Sequence, residues 1–312
     1  MWKYLLLILT WDAVDSSATR HAFFRKLDDG SGGGQEKGGR RVYGGSVAAL
    51  AEFPAACALL DRYWGPRCSA TVLAPHWALT AAHCVTRRLA YVKYNTRRPN
   101  SPEGDVTPVQ YLYRHPKYEV RQTDEGQGLD VTVLHNDVGL VRTRNEMRLS
   151  AALAMDVLSG MSLYSPSELY NKEVTVLGFG RSERSALGEE LFSVQLTAAS
   201  CERIGWEPCI CGLAPRAARA VCSGDSGGPV LYEGVQVGVT SMGPVECSTA
   251  RPPPAGATSV FTWLQPSAAL LNATLTGADA ALRMSIISRA PRSRSTFIPH
   301  MLLLIFIVFG IV

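Results

Sequence analysis

From Val42 to about Thr262 the chain is a succession of short β-favouring runs set between Gly, Pro and Asn turn residues. Ala70-Thr71-Val72-Leu73, Trp77-Ala78-Leu79-Thr80, Val138-Gly139-Leu140-Val141, Val174-Thr175-Val176-Leu177 and Val235-Gln236-Val237-Gly238-Val239-Thr240 are examples. Many short strands at this spacing predict an all-β sandwich or barrel. Only the stretch from Thr262 to Leu275, with Trp263, Leu264, Ala268, Leu270, Leu271 and Leu275, reads as an amphipathic helix. At 312 residues the chain can form one large or two small domains with a substantial core.

The two ends are of different material. Lys3 precedes the apolar run Tyr4-Leu5-Leu6-Leu7-Ile8-Leu9-Thr10-Trp11, followed by small residues at Ala13 and Ser16-Ser17-Ala18. This predicts a secretory signal peptide over 1–18, too short to span a membrane. Residues 19–41 are polar and glycine-rich and end in Arg40-Arg41, so they cannot bury enough apolar surface to order themselves. Such a segment suits a processing protease; the plainer reading is a linker. After Gly277 the chain turns Ala/Ser/Arg-rich and closes with twelve apolar residues, 301–312. That run is short for a membrane span and no Lys or Arg follows it. It matches a glycolipid-anchor signal, with Ser288 and Ala290 as the attachment site and 291–300 as spacer. A true membrane anchor is the other reading.

The formal charge of +4 sits in these ends. Residues 1–41 hold seven Lys/Arg against five acids, and 276–312 four Arg against one Asp, which leaves the middle slightly negative. A nucleic-acid-binding core should itself be basic, so no nucleic-acid partner is expected. All eight cysteines lie between Cys57 and Cys247. In an exported chain disulfides explain them better than metal does, and Cys209-Ile210-Cys211 has no second ligand pair for zinc. No metal and no organic cofactor is expected. Asn272-Ala273-Thr274 is the one N-glycosylation acceptor pattern.

Three segments carry chemistry: Thr80-Ala81-Ala82-His83-Cys84, Asn136-Asp137-Val138-Gly139-Leu140-Val141 and Gly224-Asp225-Ser226-Gly227-Gly228-Pro229. A serine hydroxyl is a poor nucleophile without a base in hydrogen-bond reach. An imidazole can take its proton and later return it to a leaving amine. A buried carboxylate fixes the imidazole tautomer and stabilises its charged form. The backbone N–H groups of Gly224 and Ser226 could together hold an oxyanion. Asp130, before Val131-Thr132-Val133-Leu134, competes with Asp137 for the carboxylate role.

These motifs resemble the chymotrypsin-like serine proteases over about residues 42–275. Val42-Tyr43-Gly44-Gly45 is similar to the family's mature N-terminus, Gly178-Phe179-Gly180 to its central Gly-aromatic-Gly turn, and Ser241-Met242-Gly243 to its substrate-pairing strand. The resemblance implies two antiparallel six-stranded β-barrels with a C-terminal helix, and a catalytic site of His83, Asp137 and Ser226 between them. It implies a domain over 42–276 and a zymogen cut after Arg41, whose new Val42 ammonium pairs with Asp225. It implies the disulfides Cys68–Cys84, Cys201–Cys211 and Cys222–Cys247. Cys57 is then a buried thiol, and Cys209 competes with Cys211 for Cys201. The specificity pocket would hold Ala220 at its floor, Gly243 at an open mouth and Ser259 at the back wall. With no acid at Ala220, an apolar or small residue is expected before the scissile bond. Met242 stands where the family has tryptophan. The implied partners are protein or peptide substrates, an activating protease, protein protease inhibitors, and the membrane through the tail. The implied location is extracellular, at the cell surface. A catalytically inactive homologue serving as a binding module is the alternative.

Overall fold

The computed structural model describes residues 44–124, 129–150, 160–180, 190–201, 205–214, 219–244, 253–277, 279 and 282–289, all in one compact unit. The expected signal peptide, the expected propeptide with Arg41 and Val42, Cys247, and the tail beyond residue 289 lie outside the described residues.

Seventeen strands are described: β1 Ser46–Val47, β2 Ala56–Asp61, β3 Pro66–Ala74, β4 Trp77–Thr80, β5 Leu89–Tyr94, β6 Asp105–Arg114, β7 Glu119–Asp124, β8 Leu129–His135, β9 Gly139–Thr143, β10 Glu173–Gly178, β11 Phe192–Ala199, β12 Trp206–Glu207, β13 Cys209–Leu213, β14 Pro229–Tyr232, β15 Val235–Met242, β16 Thr258–Trp263 and β17 Ser285–Arg289. They form two closed six-stranded antiparallel barrels. The first runs β6-β5-β2-β3-β4-β9 and closes where β9 pairs back to β6. The second runs β11-β10-β14-β15-β16-β13 and closes through β11–β13. Closure removes the unpaired edges an open sheet would present. The strand alternation seen in the sequence fills each interior. In β11, Phe192, Val194, Leu196 and Ala198 are buried while the residues between them are partly or fully exposed. Leu59, Val72, Leu79, Val92 and Leu140 occupy the first core, and Val176, Val194, Val230, Val237 and Phe261 the second.

A small three-stranded sheet, β12-β8-β7, lies outside the barrels, with β12 parallel to β8. The terminal helix is shorter than the periodicity suggests. Thr262 and Trp263 complete β16, a 3-10 turn covers Gln265–Ser267, and the helix proper is Ala268–Thr276. Pro266 accounts for the delay, since proline lacks the N–H an α-helix interior needs.

Strand pairing continues past residue 276. Beyond Gly277 the chain returns to the first barrel, where β17 pairs antiparallel with β6, Ser285 opposite Arg114 and Ile286 opposite Tyr113. Met284 is buried against the first core, and its N–H donates to Thr274 Oγ1 at 2.9 Å. Ser288, expected as the attachment site, is a backbone-paired residue opposite Leu112. A short apolar run within an Ala/Ser/Arg-rich stretch gives no sequence signal of this docking; the barrel surface supplies it. Met284→Ala should lower the unfolding free energy by about 2–4 kcal/mol, measured by urea denaturation; unchanged stability would mean that 282–289 is not docked.

Candidate active site

The two barrels meet where the chemically marked segments gather. His83 lies in a 3-10 turn, Ala82–Cys84, directly after β4. Asp137 lies in the tight turn between β8 and β9. There Asn136 takes the left-handed conformation at φ +50, which asparagine tolerates better than most residues. The turn is held from both sides, by Asn136 N–H to Glu207 O at 2.8 Å and by His115 N–H to Val138 O at 2.9 Å. Asp137 is fully buried and grips His83 twice. The His83 backbone N–H donates to Oδ1 at 2.8 Å, and its ring Nδ1 to Oδ2 at 2.7 Å. The Ser241 hydroxyl also helps hold this carboxylate ionised, and its oxygen stands 2.8 Å from Thr262 Oγ1. Asp130, the competitor, is an exposed residue of β8 paired with Thr123.

The electrostatics follow from this geometry. Burial alone would favour neutral His83, yet the charge and hydrogen bond of Asp137 together raise its pKa above the ordinary 6.5. Burial alone would raise the Asp137 pKa; the imidazole's charge, its two hydrogen bonds and Ser241 hold it below 3.8.

Ser226 sits in the loop between Cys222 and β14. Asp225 N–H donates to Cys222 O, Gly228 N–H to Asp225 O, and Gly227 N–H to Thr240 O. Among the described residues the N–H groups of Gly224 and Ser226 donate to no other group, which leaves two donors side by side. Gly227 has φ +82, and a Cβ there would lie 2.0 Å from Thr80 Oγ1, so only glycine fits the turn. The Cys68–Cys84 disulfide lies beside both partners, with Cys84 Sγ 3.7 Å from His83 Nε2 and 3.6 Å from Ser226 O. Among the described residues the Ser226 hydroxyl makes no hydrogen bond; such contacts often tighten only when substrate binds.

Ser69 has no signature in the sequence, yet it ties the loop to the other barrel. Its N–H donates to Ser226 O at 2.9 Å and its hydroxyl to Gly224 O at 2.9 Å. The hydroxyl accepts from Phe179 N–H at 2.9 Å, and the carbonyl accepts from Thr80 Oγ1 at 2.9 Å. Ser241 was legible as part of Ser241-Met242-Gly243, but its place beside the Asp137 carboxylate was not. Only the sheet register places either residue.

Asp225 is fully buried and, among the described residues, receives two backbone donors, Gly180 N–H at 2.8 Å and Cys222 N–H at 2.8 Å. The Gly178-Phe179-Gly180 turn admits it: a Cβ on either glycine would lie within 2.4 Å of Asp225 Oδ1. Burial outweighs the two hydrogen bonds and pushes its pKa up to about 7.

A trypsin family model matches residues 42–265. The chain belongs to the trypsin family. This is a family of serine endopeptidases, hydrolases of peptide bonds. Similar proteins include Venom serine protease 34 of Apis mellifera, 26% identical over 66% of this chain and 53% of that protein's length. Human Kallikrein-15 is 28% identical over 60% of this chain and 74% of its own. Trypsin, alkaline C of Manduca sexta is 29% identical over 69% of this chain and 85% of its own.

Cys201–Cys211 is formed, and Cys222 is disulfide-bonded to a residue outside the described ones. These bridges fit a secretory route. Cys209 is free, with its thiol pushed up to about 11 by burial and by Glu207. Cys57 is a free buried thiol, driven well above its ordinary range by burial. With Cys68 and Cys84 oxidised, the Cys68-His83-Cys84 cluster offers no thiolate to a metal. The expected pocket residues converge on one segment. Ala220 is buried, Ser259 Oγ accepts from Val221 N–H at 3.2 Å, and the Gly243 backbone lies against the Val221 carbonyl. A Cβ on Gly243 would be 2.0 Å from that oxygen, so the two walls touch.

Two outcomes are expected. Ser69→Ala should cost about 1–3 kcal/mol of stability by leaving Phe179 N–H and Gly224 O unpaired, with kcat falling more than KM changes. In the uncut chain, folded Asp225 keeps its proton between pH 3.8 and about 7, where the unfolded chain has released it. Stability therefore falls as pH rises through that window. Asp225→Asn should flatten the pH dependence of thermal unfolding.

Proposed function

We propose that the chain is a secreted endopeptidase zymogen in which Ser226 is the nucleophile, His83 the general base and Asp137 its orienting carboxylate. The observation that carries this reading is the double grip of buried Asp137 on His83, which leaves Nε2 as the basic nitrogen turned away from the carboxylate. Ser226 Oγ attacks the scissile carbonyl as its proton passes to His83 Nε2. The N–H groups of Gly224 and Ser226 receive the oxyanion. Collapse expels the amine with the proton from His83 and leaves an acyl-Ser226 ester. Water, deprotonated by His83, then releases the acid.

Cleavage after Arg41 is the switch in this reading. A buried carboxyl with a raised pKa and no cation beside it in the described residues is a waiting site for the Val42 ammonium. The contact between Gly243 and Val221 supports a specificity slot that opens only after the cut. Ala220, Gly243 and Ser259 carry no charge, which favours an apolar or small residue before the scissile bond over Lys or Arg. We assign the tail beyond β17 to cell-surface attachment by a glycolipid, and Asn272, exposed on the terminal helix, to glycosylation.

Peptide-library cleavage before and after cutting at Arg41 tests the whole reading. Activity should appear only after the cut and fall about 10⁶-fold in Ser226→Ala. Preferred cleavage after Lys or Arg would refute the pocket assignment alone. No activity with a freed Val42 terminus would refute the enzyme. Since the base must be neutral, activity should be lost as pH falls through the raised His83 pKa. Asp137→Asn should cut kcat about 10⁴-fold and move that acid limb to lower pH. Release of the protein from cells by a phosphatidylinositol-specific phospholipase tests the anchor.

A further inference from the structure

The first barrel carries a cavity of about 700 Å³ that the catalytic chemistry does not use. Five arginines, Arg62, Arg67, Arg87, Arg88 and Arg144, line it against one carboxylate, Asp61. The chain as a whole is only +4, so this concentration of positive charge is local. Asp61 offsets Arg67 alone among the five. It is buried and committed to the hairpin, accepting from Tyr63 N–H at 2.8 Å, Gly65 N–H at 3.0 Å and Arg67 Nε at 2.9 Å. All five arginines are exposed.

Beneath this rim the lining is apolar. Leu89, Val109 and Leu112 are buried at the floor, and Tyr63 and Tyr91 stand at the wall. Tyr91 is held flat by Trp64, stacked at 4.4 Å, while Tyr63 is 73% exposed with the Arg62 guanidinium 4.7 Å over its ring. The cavity flanks the catalytic histidine along the chain. Arg67 precedes Cys68, which is bridged to Cys84, and Arg87 follows His83 by four residues.

We propose that this cavity docks an acidic peptide segment with interspersed apolar side chains, carried by the protein substrates of the neighbouring catalytic site. Carboxylates meet the guanidinium rim in charge-assisted pairs, and apolar side chains cover the Leu-Val-Tyr floor. A sulfated glycan would use the rim alone and leave the floor wet. The word substrate rests on the proteolytic reading; the binding itself does not.

The test uses the full chain carrying Ser226→Ala, so binding is read without hydrolysis. A fluorescent peptide alternating Glu with Leu and Tyr is compared with its Gln twin by anisotropy. The Glu peptide should bind at least about tenfold tighter and weaken with added salt. Arg87→Ala/Arg88→Ala should cost about tenfold in its affinity. In the Ser226 protein that double variant should leave hydrolysis of short uncharged peptides unchanged. To separate charge from misfolding, Arg87→Glu/Arg88→Glu should gain affinity for a Lys-Leu-Tyr peptide. Equal binding of the Glu and Gln twins, or no loss in the double variant, overturns the proposal. So does a sulfated oligosaccharide that displaces the peptide and binds more tightly. If the binding results hold while the activated Ser226 protein cleaves nothing, the docking site stands and the proteolytic reading falls.

Discussion

Ser69 uses every polar atom it has across the seam between the barrels. Its N–H holds the Ser226 carbonyl, its hydroxyl joins Gly224 to Phe179, and its carbonyl takes Thr80. The loop bearing Ser226 belongs to the second barrel, whereas His83 belongs to the first. Two rigid bodies can hold a nucleophile and a base in register only if something fixed in one grips the other. A strand residue suits that task, since β3 is paired on both sides and cannot shift alone. The Cys68–Cys84 bridge, one residue along, pins the histidine turn to the same strand.

The elements outside the barrels serve the same seam. β12 pairs parallel with β8, and Glu207 of β12 holds the turn that presents Asp137. Trp206 Nε1 donates to Val131 O, tying that excursion down. At the opposite end of the chain, β17 covers the β6 edge and buries Met284. The folded body is thus larger than the barrels need, and its extra pieces brace β6, β8 and the turn between β8 and β9.

Two fully buried aspartates have opposite fates. Asp137 has the imidazole and the backbone N–H of His83 and the nearby Ser241 hydroxyl, and stays ionised. Asp225 has two backbone amides and is driven toward the neutral form. The difference is one positive partner. On the proposed zymogen reading, a cut that frees the Val42 ammonium would supply that partner to Asp225.

Much of this was legible in the residues. The short β-favouring runs fell on β3, β4, β9, β10 and β15, because apolar and β-branched residues between turn residues suit strands buried on both faces, as β4 and most of β15 are. The order His83, Asp137, Ser226 and the glycines around them could be read directly, since each motif needs particular residue types at adjacent positions. Asp137 and Asp130 were both open in the sequence; in the structure the Asp137 carboxylate touches the histidine, and Asp130 is exposed on β8. Ser69, the docking of β17 and the arginine-rimmed cavity left no local trace. Each depends on residues far apart in the chain, and a serine, an isoleucine or an arginine reads the same on any strand. Sequence alone determined which chemistry and which fold class were possible, because both rest on local patterns. Tertiary structure decided which ordinary residues hold that chemistry in place, because only closing the barrels brings their partners within 3 Å.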